Sequence, residues 1–121
     1  MRRTVLTVDD SRTMRDMLRL CLTHAGYAVT EAVDGEDGLA VLGRVRPDAI
    51  ISDINMPRLD GFGFIERVRA DNAFRAIPIL VLTTESDEAK KARARAAGAT
   101  GWIVKPFEPA RLVAALARVT A

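Results

Sequence analysis

Two adjacent acids, Asp9 and Asp10, a third acid at Asp53, a hydroxyl at Thr83 and an amine at Lys105 are the residues whose types and placement invite chemistry. Each follows a short apolar run: Thr4 to Val8, Ala49 to Ile51, Ile77 to Leu82 and Thr100 to Val104. Runs of this length, rich in β-branched residues and bounded by turn residues, predict buried strands. If the strands are parallel, their polar ends meet. Three carboxylates packed together repel one another, and the single ammonium of Lys105 is too little to compensate them. A hard divalent cation with oxygen ligands, Mg²⁺ in a cell, is the natural remainder. An acidic metal holder, a carboxylate nucleophile, a hydroxyl donor and a fixed ammonium suit phosphoryl transfer onto an aspartate.

The elements that must position these groups are legible between them. Ser11 is placed to cap a helix in which Met14, Leu18, Cys21, Leu22 and Ala25 recur at helical spacing until Gly26 stops it. Tyr27 to Ala32 is a further strand. Asp34-Gly35 opens a helix that carries Leu39, Leu42 and Val45 and ends before Pro47. Pro57 and Asp60-Gly61 force a loop after Asp53, because proline fixes φ and glycine permits a tight turn. Gly61 leads into a helix with Phe62, Ile65 and Val68, and Ala70 to Ala76 is a polar connection. Ser86-Asp87-Glu88 opens a helix with acids at its start and Lys90, Lys91, Arg93 and Arg95 after them, an order that suits the helix dipole, and Gly98 ends it. Pro109 opens the last helix, with Leu112, Val113, Leu116 and Val119.

Five strands thus alternate with five helices. Connections of this kind require a doubly wound α/β fold, a parallel sheet with right-handed crossovers and helices on both faces. In such a sheet all carboxyl ends lie on one edge, where open α/β folds bind their ligands. Asp53 is presented there at the end of a strand.

The 121 residues suffice for one domain with a real core, and a hydrophobic content of 49% marks a globular chain. The apolar runs are too short to cross a bilayer, and Met1-Arg2-Arg3-Thr4 leads into a strand without a signal-peptide core, so a cytoplasmic protein without membrane insertion is expected. Cys21, the single cysteine, cannot form an internal disulfide, and its helical surroundings predict a buried thiol. The net charge of +2 raises nucleic acid or an acidic partner as possibilities. The basic residues are, however, spread over several amphipathic patterns, so solvated helix faces account for most of them and no direct nucleic-acid contact is expected.

Each residue of the constellation has a plainer role available. Asp9 and Asp10 could cap the helix at Ser11, Asp53 could be a turn residue, Thr83 a strand-end hydroxyl and Lys105 a solvated lysine. Their joint placement at the matching ends of their strands is what favours a shared site. His24, the only histidine, lies at a helix end, where a favourable dipole contact explains it.

Val8-Asp9-Asp10-Ser11, Asp53 with Met56-Pro57 and Asp60-Gly61, Thr83, and Lys105-Pro106-Phe107 resemble the receiver domain of two-component response regulators over essentially the whole chain, residues 1–121, as a single domain. The resemblance implies a flavodoxin-like strand order 2-1-3-4-5, with Asp53 as phosphoacceptor for a histidine kinase. It implies Mg²⁺ held by Asp10, Asp53 and the backbone carbonyl of Asn55, with Asp9 supporting through water. By the same resemblance Lys105 pairs with the phosphoryl group, after which a cis peptide to Pro106 is expected, and Thr83 hydrogen-bonds a phosphoryl oxygen. The chain would then be a phosphoacceptor with self-catalysed phosphorylation and dephosphorylation, not an enzyme that acts on outside substrates.

Asp10-Ser11-Arg12-Thr13-Met14-Arg15, with no output domain, is similar to the stand-alone chemotaxis regulators. These signal by phosphorylation-dependent binding to a downstream target, and a flagellar-motor switch, a histidine phosphotransferase and a phosphate-sink role all stay open. Trp102 stands where such regulators have a tyrosine or smaller aromatic that turns inward with the threonine. An indole is bulkier, and both a switch role and a half-buried strand aromatic fit it. Lys90, Lys91 and Arg95 belong either to the target surface or to a solvated face.

Two rival chemistries fare worse. Haloacid-dehalogenase-like phosphatases also use an aspartate at a strand end, but they carry a second aspartate two residues later, where this chain has Asn55, and no cap domain is evident. Nucleotide binding would need a Gly-x-x-x-x-Gly-Lys or Gly-x-Gly-x-x-Gly loop, and after the first strand stand two acids that repel phosphates.

Overall fold

In the computed structural model, which describes residues 2–121, the apolar runs pair into one parallel sheet. The strands are β1 (Thr4–Val8), β2 (Ala28–Ala32), β3 (Ala49–Ser52), β4 (Ile79–Thr83) and β5 (Gly101–Val104). Their order is β2-β1-β3-β4-β5, and every pairing is parallel. The expected doubly wound, flavodoxin-like arrangement is therefore the one observed. The helices are α1 (Arg12–His24), α2 (Gly35–Leu42), α3 (Gly61–Ala70), α4 (Glu88–Ala97) and α5 (Pro109–Val119).

Alternation along the buried strands sends side chains to two cores. Leu6, Val8, Ile50, Ile79 and Val81 face α2, α3 and α4 and pack with Val41, Phe64, Ile65, Val68 and Ala94. Val5, Ile51, Leu80 and Leu82 face the opposite way and pack with Leu18 and Leu22 of α1 and Leu112 and Leu116 of α5. Both faces of the sheet are covered, as parallel strands demand. Among the described residues no helix is long and apolar enough to cross a membrane.

Several boundaries differ from the sequence expectation, each for a local reason. Tyr27 lies outside β2 because its amide is spent on the end of α1, donating to the Leu22 carbonyl at 2.9 Å. β4 begins at Ile79, after Pro78, which has no amide to give to the ladder, and it runs through Thr83. β5 begins at Gly101, because Thr100 uses its hydroxyl as well as its backbone on Ile79: Thr100 Oγ1 accepts from the Ile79 amide at 3.0 Å. α2 stops at Leu42, and Val45 lies past the turn at Gly43 and Arg44 while still packing on the core. Cys21, expected to be buried, is only partly so, at the edge of the core formed by α1 and α5.

The starts of α1 to α4 are capped by side chains, whereas α5 opens on Pro109 without one. Ser11 Oγ accepts from the Met14 amide at 3.2 Å, and Asp34 and Asp60 accept from Asp37 and Gly63, each at 2.9 Å. Each such cap contributes about 1 kcal/mol. The core is less forgiving. Leu116→Ala, at a fully buried position, is expected to lose about 2–5 kcal/mol in urea unfolding. Leu20→Ala, on an α1 side chain that is 71% exposed, should stay within about 0.5 kcal/mol of the parent.

Candidate functional site

The parallel register brings the chemistry together. Val8 pairs with Ser52, and Thr83 pairs with Val104, so Asp9 and Asp53 leave neighbouring strands side by side and Lys105 follows Thr83's partner. The ladders continue into the site: the Asp53 amide donates to the Val8 carbonyl at 3.0 Å and the Lys105 amide to the Thr83 carbonyl at 2.8 Å. Gly61 closes the loop after Asp53 from below. A Cβ there would stand 2.3 Å from the Asp53 carbonyl oxygen, so the chain needs glycine to pass this close.

Lys105 Nζ donates to Asp9 Oδ2 at 2.9 Å and to Asp53 Oδ2 at 2.8 Å. Both carboxylates are buried, and Asp10 beside them is exposed. The remaining oxygens of the two buried acids are held by backbone: Asp9 Oδ1 accepts from the Ser11 amide at 2.9 Å, and Asp53 Oδ1 from the Ile54 amide at 2.6 Å. Burial pushes the Asp9 carboxyl above its ordinary range, against the pull of the Ser11 amide and Lys105, and the charge on Asp53 adds to the rise. Burial also works against the Lys105 ammonium, but its two carboxylate partners outweigh it and raise its pKa. Lys105 stays charged. The peptide bond between Lys105 and Pro106 is cis, as expected.

Carboxylate oxygens of Asp9, Asp10 and Asp53 lie within 4.8 Å of one another. Formally three carboxylates and one ammonium leave a charge of −2 among hard oxygen donors. That donor set fits a hard divalent cation.

Thr83, Asn55 and Trp102 are gathered around a residue that sequence reasoning missed, Glu85. The buried Thr83 Oγ1 accepts from the Glu85 amide at 3.4 Å, a long and weak bond. The exposed Asn55 Nδ2 donates to Glu85 Oε1 at 3.1 Å, which Lys90 Nζ also approaches at 3.1 Å, and these two partners hold the Glu85 carboxyl below its ordinary range. Trp102 is half-buried, and its Nε1 donates to the Glu85 carbonyl oxygen at 3.1 Å. Arg15 was also missed: its Nη1 donates to the Asp9 carbonyl oxygen at 2.6 Å, and its side chain is 14% exposed. For Glu85 the available signal was its place two residues after Thr83 on the same sheet edge. For Arg15 it was a first-turn position on a helix that starts at the acidic pair.

The fold and this strand edge define a receiver. The response regulator receiver domain family matches residues 5–117, and the chain belongs to it. It is 39% identical over 115 residues to Probable transcriptional regulator ycf27 of Guillardia theta, a match that covers 95% of this chain and 44% of that protein. The chain therefore spans less than half the length of that relative. Among solved structures it is similar to the chemotaxis response regulator CheY4 of Vibrio cholerae, with 47% identity, a TM-score of 0.92 and coverage of 98% of this chain and 99% of that one. The receiver domain of the sensor histidine kinase PA1611 from Pseudomonas aeruginosa PAO1, a structure with a magnesium ion coordinated in the active site cleft, is 30% identical with a TM-score of 0.92, covering 99% and 98% of the two chains.

A raised pKa means that ionising Asp9 is harder in the folded than in the unfolded chain, so stability falls as pH rises through and above its ordinary value of 3.8. In EDTA at pH 7, Asp9→Asn is expected to unfold at a higher temperature than the parent. The gain should vanish below about pH 4, where the carboxyl is protonated in both states. Thermal melts of the two proteins across that range check this.

Proposed function

We propose that this receiver accepts a phosphoryl group on Asp53 from the phosphohistidine of a partner kinase and signals by binding a target in its phosphorylated form. The observation that carries the reading is Asp53 itself, a buried carboxylate 2.8 Å from a fixed ammonium and beside two further acids at a strand edge. A carboxylate oxygen of Asp53 bonds to phosphorus as the bond from phosphorus to the imidazole nitrogen breaks, and the imidazole leaves to take its proton from solvent. Lys105 stays within reach of the transferred group and neutralises part of its charge.

Asp10, Asp53 and the Asn55 carbonyl would hold Mg²⁺, with Asp9 supporting through water. When bound, the ion supplies Lewis-acid neutralisation of the phosphoryl oxygens. The PA1611 receiver's magnesium and the oxygen donor set here support that choice.

The switch reading rests on Glu85. A phosphoryl group adds roughly two negative charges, which attract the Thr83 hydroxyl as a donor. Thr83 then gives up its 3.4 Å contact with the Glu85 amide, and the segment that also holds Asn55, Lys90 and Trp102 is free to shift. Trp102 is thereby coupled to Thr83 without having to turn fully inward. The target gains affinity by preferring one of two existing states. The similarity to the chemotaxis regulator CheY4 supports a chemotaxis target met as a separate protein.

Intact-mass measurement after incubation with acetyl phosphate tests the acceptor step. Wild type should gain one phosphoryl group only with Mg²⁺, and Asp53→Ala should gain none. Addition to Asp53→Ala, or none to wild type, would remove the assignment. Thr83→Ala should still be phosphorylated while its phosphorylation-dependent gain in target binding falls on the order of 10-fold, a coupling loss of about 1.4 kcal/mol; an undiminished gain would count against the switch.

A further inference from the structure

We propose that Asp34 and Arg58 are positioning residues for the Asp53 carboxylate: their ion pair clamps the loop after β3 to the start of α2 and so sets the pocket's affinity for a divalent cation. The proposal rests on the phosphoacceptor reading given above. It concerns two residues outside the acidic cluster, joined across 24 positions of sequence.

The clamp is a fork. Arg58 Nε donates to Asp34 Oδ2 at 2.7 Å and Arg58 Nη2 to Asp34 Oδ1 at 3.0 Å. Exposed ion pairs contribute little, but here the carboxylate is buried and the contact is bidentate, which fixes direction as well as distance. Asp34 is itself immobilised, because Oδ1 also accepts from the Asp37 amide at the start of α2. Its carboxyl is held below the ordinary range by the Arg58 guanidinium first and the Asp37 amide second, so it remains charged.

Backbone contacts reinforce the same junction. The Gly35 amide donates to the Leu59 carbonyl at 3.0 Å, and a Cβ on Gly35 would stand 2.5 Å from that oxygen. Arg58 has φ +67°, a left-handed conformation that a residue with a Cβ adopts only where its surroundings enforce it. The Leu59 amide donates to the Pro57 carbonyl at 2.8 Å across it, and the fork to Asp34 holds the Arg58 side chain beside that turn.

From this fastened tip the loop runs back to the reactive group. Gly61 donates to the Ile54 carbonyl at 2.8 Å and closes the loop's base. The Ile54 amide donates to Asp53 Oδ1 at 2.6 Å. Asn55, next in the loop, reaches across to Glu85. Freeing the tip at Arg58 therefore loosens the amide that orients Asp53 and the segment that borders the acidic cluster.

The test is calorimetric titration of Mg²⁺ into wild type, Arg58→Gly, Arg58→Lys, Asp34→Asn and the Asp34→Asn/Arg58→Gly double variant. Arg67→Ala, whose contact with Glu36 spans 4.0 Å, is the control. Glycine tolerates the left-handed backbone, so Arg58→Gly removes the fork without adding strain and keeps the fold testable. Mg²⁺ affinity should fall on the order of 10-fold in each single clamp variant and by no more in the double. Arg67→Ala should bind as wild type does. Retained affinity in Arg58→Gly, or additive losses in the double variant, would overturn the clamp. Amide hydrogen exchange at Ile54, followed in EDTA, is read in parallel: faster exchange in Arg58→Gly supports the clamp and unchanged exchange overturns it. A wild type that binds no Mg²⁺ would fail the phosphoacceptor reading instead, and the exchange result would still decide the clamp.

Discussion

Lys105 Nζ lies 2.9 Å from Asp9 and 2.8 Å from Asp53, and the strand edge is arranged around that contact. A parallel sheet delivers the carboxyl ends of all its strands to one edge, which here means three acids in one place. Burial raises the cost of their charge, and one ammonium offsets only part of it. Backbone amides from Ser11 and Ile54 take a carboxylate oxygen each and hold the two buried acids in orientation. What is left is an ordered, under-compensated negative pocket. Such a pocket fits a hard divalent cation.

The same edge has a second centre. Glu85 joins Thr83, Asn55, Lys90 and Trp102 through bonds that range from 3.1 to 3.4 Å, none of them strong and most of them partly solvated. A junction of weak bonds is easily re-partitioned. It lies between the acidic pocket on one side and α4 and β5 on the other, so a change of charge at Asp53 has a short physical route to the surface of the sheet. The opposite flank is tied differently: Arg15 carries charge behind the Asp9 backbone and Arg58 fastens the loop after β3 to α2, both through guanidinium groups with fixed geometry. One flank of the site is built to hold and the other to give.

The family comparisons place the same unit in proteins of different length. It occupies less than half of the ycf27 relative and nearly all of CheY4. A chain of about 120 residues is long enough to bury a core on both faces of the sheet.

Sequence by itself determined the alternation of strands and helices, the parallel sheet and the placing of Asp9, Asp10, Asp53, Thr83 and Lys105 at strand ends on one edge. Those features follow from local rules: apolar runs make buried strands, caps and glycines bound the helices, and parallel connectivity sends every strand end to the same edge. Boundaries shifted where a residue's hydrogen bonds went elsewhere, as Tyr27's amide did to the end of α1 and Thr100's hydroxyl to Ile79. Only the tertiary structure decided that Glu85 is the junction, that Arg15 backs Asp9, and that Arg58 reaches Asp34. Glutamate and arginine carry long, flexible side chains that read as solvated surface wherever they occur. Their partners are chosen by distances between elements far apart in the chain, and those distances exist only once the sheet has brought the loops together.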